Sequence, residues 1–236
     1  MILVDLPGHG ESPPLETRGR TVAQTLVAEI TGFLDERGLT RPHLAGNSLG
    51  GRLALEAAVR GRAASVTAFS PAGFWATDRE LAYARAVSRA MEIAGRIARP
   101  LGPVLARTAI GRALIYADIV ARPSRVTPEQ AMGDMAAFLA AMPAINMILA
   151  TAISFSGVIP DDVPVTIGWG TKDHLLAPRQ ALVAKARLPQ ARLVPLPGCG
   201  HVPMTDDPLL VADVLLSGSQ SARRIAAGAG VQQTPA

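Results

Sequence analysis

Five residues in the first quarter of the chain form a G-x-S-x-G pattern, Gly46-Asn47-Ser48-Leu49-Gly50. The pattern stands between a strand-like run and an alanine-rich helical run, the context in which a nucleophilic serine occupies a sharp strand-to-helix turn. We expect Gly46 and Gly50 to be required, because side chains on either side of the serine would collide in so tight a turn. The same turn would aim the backbone N–H of Leu49 at an oxyanion forming on a carbonyl carbon.

A serine hydroxyl needs a neighbouring imidazole to remove its proton, and the chain contains four histidines. His9 lies in the first loop, His43 begins the strand before the serine, and His174 follows an aspartate. His201 follows the last predicted strand in a glycine-rich segment that could fold back over the sheet. We therefore predict His201 as the base.

Asp173 comes directly after a predicted strand, where a carboxylate could hold the second nitrogen of the imidazole. The order serine, aspartate, histidine is the order this kind of site has in α/β proteins with a nucleophile elbow. Asp206 and Asp207 are weaker candidates, which we interpret as N-cap residues of the final helix. Cys199 is interpreted as a small buried apolar residue rather than as a nucleophile.

Strand-like and helix-like segments alternate along the chain, which predicts an α/β fold with a mostly parallel, doubly wound sheet. From about residue 77 to 156 strand signals vanish and alanine, methionine and arginine dominate, which predicts a helical insertion. The predicted strands are 2–4, 43–46, 65–70, 163–169 and 191–196. The predicted organisation is a first core part at 1–76, the insertion at 77–156, a second core part at 157–216 and a disordered tail at 217–236.

The composition limits the classes of partner and cofactor that we expect. The chain has 236 residues, half of them apolar, and a net charge of only +4 with its arginines scattered, so we expect no nucleic-acid partner. Dispersed histidines and a single cysteine, Cys199, predict no metal, no organic cofactor and no internal disulfide, and favour the reducing cytoplasm. The apolar stretch at 101–120 is interrupted by Arg107 and Arg112, so we expect no membrane-spanning segment. An oligomer is possible.

Taken together, the motifs resemble the α/β-hydrolase fold family, in particular its lidded serine esterases and carbon–carbon bond hydrolases. The resembling segments span most of the chain and are Val4 to Ser12, Gly46 to Gly50, Trp169 to Asp173 and Gly198 to Pro203. The resemblance implies a triad of Ser48, Asp173 and His201. It also implies Leu49 as an oxyanion donor, Asn47 as a residue that shapes the elbow, and the insertion as a lid.

The resemblance also implies a gap in the sheet. In the family, the D-x-P-G-H-G-x-S stretch follows the fourth strand, whereas this sequence begins inside that strand. We therefore expect the strand that would lie between Ile2–Val4 and His43–Ala45 to be missing from the sheet, together with the loop that supplies a second oxyanion donor.

The resulting hypothesis is a serine-dependent hydrolase of small hydrophobic esters or related carbonyl compounds. A meta-cleavage-product-type hydrolase, which breaks a carbon–carbon bond, is the alternative within the same class. Ser48 in place of an aspartate argues against haloalkane dehalogenase and epoxide hydrolase chemistry. Two non-catalytic alternatives are a truncated ligand-binding scaffold and an insertion that lies on a membrane surface.

Overall fold

The computed structural model describes residues 1–230, and the side chains of residues 1–220. Its centre is a sheet of four parallel strands in the order β1-β2-β3-β4. The strands are β1 His43–Asn47, β2 Ser65–Phe69, β3 Val165–Gly170 and β4 Arg192–Leu196. Each of them coincides with a predicted strand to within two residues, and the parallel α/β fold is confirmed.

Helices connect and cover the strands within the described residues. The first begins at Thr21, whose side chain accepts from the backbone N–H of Gln24 while the Gln24 side chain accepts from the N–H of Thr21. The helices are α1 Val22–Glu36, α2 Leu49–Val59, α3 Asp78–Ala98, α4 Gly102–Arg107, α5 Ala109–Ile115, α6 Pro128–Ala150, α7 Gln180–Arg187, α8 Pro203–Asp206 and α9 Pro208–Gly230, with 3₁₀ turns at Arg99–Leu101 and Pro123–Arg125.

Alternating residues of β2 show that the sheet is covered on both faces. Val66 and Ala68 belong to the larger core, which they share with residues of α2 and α7. Phe69 points the other way and packs with Val211 and Val214 of α9. This two-residue alternation is the geometry of a strand between two helical layers.

The segment inserted between β2 and β3 is helical, as predicted, and consists of α3 to α6. Its longest helix, α6, is long and apolar enough to cross a membrane by length and composition alone. A core helix of a globular protein meets the same criterion, and α6 packs against α3 and α4. The expectation that no segment spans a membrane therefore stays a prediction.

The predicted strand at Ile2–Val4 was wrong, because these residues form no strand and their side chains are exposed. A strand forms only when its backbone N–H and C=O groups find a partner, and among residues 1–230 the only strand paired with β1 is β2. The other edge of β1 is therefore open, and the expected gap lies between it and residues 1–4.

The end of the chain also differs from the prediction of a disordered tail. Instead of becoming disordered at residue 217, the chain continues as helix α9 to Gly230. The start of this stretch packs closely against the sheet at Gly218. A Cβ at that position would lie 2.3 Å from Oγ1 of Thr67 in β2. Residues 231–236 of the predicted tail lie outside the described residues.

Candidate active site

Ser48 lies at the junction of β1 and α2 in a backbone conformation that serine rarely adopts, with φ +51° and ψ −112°. Hydrogen bonds hold it there. Its N–H donates to the carbonyl of Phe69 at 2.9 Å, and its carbonyl accepts from the N–H of Ala72 at 3.1 Å. The strained turn thus lifts the Ser48 side chain above the carboxyl end of the sheet.

The first N–H groups of α2 are available to bind a negative charge. Within the described residues, the backbone N–H of Leu49 makes no hydrogen bond, as is usual for the first residue of a helix. The positive end of the helix dipole lies at the same point. Leu49 is thus placed as the predicted oxyanion donor requires.

Two glycines allow the close approach of β1 and α2, but they are not the expected pair. A Cβ at Gly46 would lie 2.3 Å from the backbone carbon of Gly50, so any larger residue would displace the turn. A Cβ at Gly50 would meet nothing within 4 Å, and the expectation that Gly50 must lack a side chain was wrong. The second tight position is Gly51, where a Cβ would lie 3.0 Å from the carbonyl of Gly46 and 3.2 Å from Pro71.

His201 and Asp173 come together at the end of β3 and β4. His201 Nδ1 donates to Asp173 Oδ2 at 2.9 Å, and both side chains are almost fully buried. The other carboxylate oxygen, Oδ1, accepts from the N–H groups of Leu175 at 3.0 Å and Leu176 at 2.8 Å. These contacts fix the carboxylate, which in turn fixes the tautomer of the imidazole and leaves Nε2 as its basic nitrogen.

Asn47 joins the serine turn to the histidine loop. Its amide Nδ2 donates to the carbonyl of His201 at 2.9 Å and to that of Phe69 at 3.0 Å. No hydrogen bond links the Ser48 hydroxyl to His201 among the described contacts. Hydrogen bonds of this kind are often long before substrate binds. The fold therefore brings Ser48, Asp173 and His201 to one end of the sheet. Among these three side chains, only Asp173 and His201 are joined by a hydrogen bond.

A cavity of about 890 Å³ opens beside Ser48. Its wall is mainly apolar and includes Leu53 and Trp75, together with residues of α6 from the helical insertion. The cavity extends to the open edge of β1 and to the exposed side chains of residues 1–4. Its volume is within the range of sites that bind small molecules.

His9 also lines this cavity, whereas His201 is not among its lining residues. His9 Nδ1 lies 3.2 Å from the backbone carbonyl of Pro7, so this ring has a neutral partner in place of a carboxylate. His43 hydrogen-bonds to Ser65 and His174 is exposed. Of the four histidines, only His201 is held by a carboxylate that could stabilise a positively charged imidazolium.

Comparison with known proteins decides the family. The model of the Alpha/beta hydrolase family matches residues 1–214 of this chain. The chain is an α/β hydrolase. Epoxide hydrolase EphH of Mycobacterium tuberculosis is 32% identical over 202 residues, which cover 81% of this chain and 92% of that protein.

Solved structures agree on the fold of this α/β hydrolase. A putative lipase from Acinetobacter baumannii superposes with a TM-score of 0.68 at 20% identity, covering 93% of this chain and 74% of the lipase. A mutant form of the meta-cleavage product hydrolase CumD superposes with a TM-score of 0.61 at 20% identity, covering 90% of this chain and 78% of CumD. These likenesses show the fold, while the family match and the EphH relative show that the protein belongs to the hydrolase class of enzymes.

One buried carboxylate of this α/β hydrolase has a position that the sequence did not predict. Asp206 is fully buried, and its side chain accepts from the N–H groups of Gly200 at 2.7 Å, Ala121 at 3.1 Å and Arg122 at 2.6 Å. It therefore links the histidine loop to the helical insertion. Asp207, in contrast, accepts from the N–H of Leu210 and caps α9, as predicted for both residues.

Cys199 is fully buried in the histidine loop, and burial, reinforced by the negative charge of Asp206, raises the pKa of its thiol. A raised pKa keeps the thiol protonated, which agrees with its interpretation as a small apolar residue. Within the described part of the chain, no three side chains of His, Cys, Asp or Glu lie close enough to hold a metal ion together.

Proposed function

We propose that this α/β hydrolase cleaves small hydrophobic esters or related carbonyl compounds through an acyl-enzyme on Ser48. The observation that carries the proposal is the buried pair of His201 and Asp173, 2.9 Å apart, in a loop that Asn47 ties to the serine turn. An imidazole held by a carboxylate, in a loop tied to the turn that carries a serine, is the arrangement expected of a base that activates a hydroxyl group.

The proposed reaction has two halves. Ser48 Oγ attacks the carbonyl carbon, its proton passes to Nε2 of His201, and the N–H of Leu49 stabilises the oxyanion. The tetrahedral intermediate collapses, the C–O bond to the alcohol breaks, and His201 returns the proton to the leaving oxygen. Water, deprotonated by His201, then attacks the acyl carbon, the bond from that carbon to Ser48 Oγ breaks, and His201 returns the proton to Oγ as the acid is released.

The helical insertion is proposed to act as a cap that binds the apolar part of the substrate. Residues of α6 face the same cavity as Ser48, among them Phe138, Ile145, Ile148 and Leu149. Burying an acyl chain against these side chains contributes roughly 0.8 kcal/mol for each methylene group. We therefore expect kcat/KM to rise with acyl length until the cavity is filled.

Epoxide opening is a second candidate, because EphH carries the name of an epoxide hydrolase. The side chain at the elbow argues against it. An aspartate that opens an epoxide forms an ester, which water can hydrolyse. Ser48 would form an ether, which water does not cleave under these conditions, so the enzyme would be blocked after one turnover.

Carbon–carbon bond cleavage is the third candidate, since it uses the same serine and also begins at a carbonyl group. It is favoured by the elbow sequence Gly46-Asn47-Ser48-Leu49-Gly50-Gly51, which resembles that of meta-cleavage-product hydrolases. A scaffold that binds ligands without turnover is the non-catalytic alternative.

One substrate panel separates these candidates. It contains 4-nitrophenyl esters of increasing acyl length, one 1,5-diketone dienoate and one aryl epoxide, with intact-mass detection of any covalent adduct. We expect ester hydrolysis, an acyl adduct on Ser48, and a loss of about 10⁴-fold or more in kcat for Ser48→Ala. Turnover of the epoxide, or no turnover and no adduct with any substrate, would overturn the proposal.

A further inference from the structure

The end of α3, the following 3₁₀ turn, α4 and α5 form one side of the helical insertion, here called the 93–114 surface. Six of its seven large aliphatic side chains are exposed to between 45% and 76% of their full area. They are Ile93, Ile97, Leu101, Val104, Ile110 and Leu114. Single exposed aliphatic residues are common, but a group of this size within 22 consecutive positions marks an interaction surface.

The spacing of these residues places them in neighbouring pairs. The chain stays helical from Asp78 to Arg107, and Ile93, Ile97, Leu101 and Val104 follow one another at intervals of four, four and three residues. Residues three or four positions apart lie on one side of a helix, so Ile93 and Ile97 share a side of α3, and Leu101 and Val104 lie close together in the segment that follows it. Ile110 and Leu114 form a second pair, four residues apart, on α5, which packs against α4.

The charges on this surface have one sign. Residues 93–114 contain four arginines, Arg96, Arg99, Arg107 and Arg112, and no aspartate, glutamate or lysine. Arg99 and Arg107 are exposed and take part in no ion pair among the described residues. Arginine can extend its guanidinium group to a polar layer while its methylene groups remain on apolar surface.

Carboxylates neutralise only part of the positive charge on this surface. Glu92 is buried and accepts hydrogen bonds from Arg89, Arg96 and Asn146. Asp134 of α6 accepts from the hydroxyl of Tyr116 at 2.6 Å. Arg99 and Arg107 are therefore left as uncompensated positive charges beside the aliphatic side chains.

We infer that the 93–114 surface docks the protein on an anionic lipid surface, with the aliphatic side chains in the boundary of the acyl layer and the arginines on lipid phosphates. Aliphatic groups flanked by positive charge are the combination that binds such an interface. A second copy of the chain would bring arginines against arginines in a symmetric contact, so charge complementarity favours the lipid. This inference does not depend on the proposed ester chemistry.

Flotation of the purified chain with vesicles tests the inference. The vesicles consist of phosphatidylcholine alone or with phosphatidylglycerol as a minor component. We expect flotation with the anionic vesicles and release by concentrated salt, because phosphate contacts are screened whereas a membrane-spanning helix would stay inserted.

Two double variants and their matched controls decide the outcome. Arg99→Gln with Arg107→Gln is expected to weaken anionic-vesicle binding about 25-fold, at about fivefold for each arginine near the surface. Ile97→Ser with Leu101→Ser is expected to weaken it about tenfold or more. The controls are Arg20→Gln with Arg192→Gln and Leu182→Ser with Leu209→Ser, which are exposed elsewhere and should bind as the parent does.

Three results would overturn the inference. The first is failure of the parent chain to float with anionic vesicles, and the second is equal binding by surface variants and controls. The third is a dimer in solution that Ile97→Ser with Leu101→Ser converts to a monomer without any lipid binding. Circular dichroism of each variant shows whether it is folded, so a loss of binding cannot be confused with unfolding.

Discussion

The side-chain amide of Asn47 donates a hydrogen bond of 2.9 Å to the backbone carbonyl of His201, across 154 positions of sequence. It connects the turn that carries Ser48 with the loop that carries the proposed base. The distance between nucleophile and base therefore depends on a residue that takes no direct part in the proposed chemistry.

Replacing Asn47 with alanine should lower activity more than stability. Losing two hydrogen bonds should reduce the free energy of unfolding by about 1–3 kcal/mol. A shift of the histidine loop by even about 1 Å should reduce kcat up to about a hundredfold. Ester hydrolysis and thermal unfolding, measured on the same sample, check this. An unchanged kcat would show that Asn47 does not position His201.

The two elbow glycines should respond in opposite ways to alanine. Gly46→Ala places a Cβ against the backbone of Gly50 and should prevent folding or abolish activity. Gly50→Ala places its Cβ where no heavy atom lies within 4 Å, so the variant should fold with a stability near that of the parent and keep measurable activity. Thermal unfolding and ester hydrolysis distinguish them, and similar damage from both substitutions would contradict the described turn.

The neighbouring residues Asp206 and Asp207 should also respond differently to alanine. Asp206→Ala removes the fully buried acceptor of three backbone N–H groups and should reduce the free energy of unfolding by about 3 kcal/mol or more. Asp207→Ala removes only the cap of α9, which is worth about 1 kcal/mol. Chemical denaturation measures both values. Equal losses would mean that Asp206 does not join the insertion to the histidine loop.

The thiol of Cys199 should be inert while the protein is folded. Burial raises its pKa, so the reactive thiolate is scarce at neutral pH and increases only at higher pH than for an ordinary cysteine. Iodoacetamide should modify it slowly in buffer and rapidly in denaturant. Cys199→Ala should keep ester hydrolysis, and a loss of the acyl adduct in that variant would instead assign the nucleophile to the thiol.

Local sequence was sufficient to place the residues of the candidate site. The G-x-S-x-G pattern placed Ser48, and the positions of Asp173 and His201 directly after strands indicated that they would meet at one end of a parallel sheet. The positions could be predicted because each depends on the strand immediately before the residue, whereas the catalytic roles of the three residues stay predictions. The hydrogen bond between His201 and Asp173 confirms their proximity.

Features that depend on distant residues could not be predicted in this way. Ile2–Val4 has the composition of a strand but no partner strand beside it among the described residues. Asp206 and Asp207 have nearly the same local sequence, yet only Asp206 is fully buried. Two of the N–H groups that it binds belong to a segment more than 80 residues earlier, so the local sequence does not reveal them. Which glycine is tight, Gly50 or Gly51, depends on the packing of α2 against Pro71.

Labelling of the purified chain with a fluorophosphonate, followed by intact mass, tests the central claim most directly. Ser48→Ala and His201→Gln should abolish the adduct, while His9→Gln, which replaces a histidine that lines the cavity beside Ser48, should label at nearly the rate of the parent. Labelling that survives His201→Gln and is lost in His9→Gln, or that survives Ser48→Ala, would contradict the assignment of Ser48 and His201 as nucleophile and base.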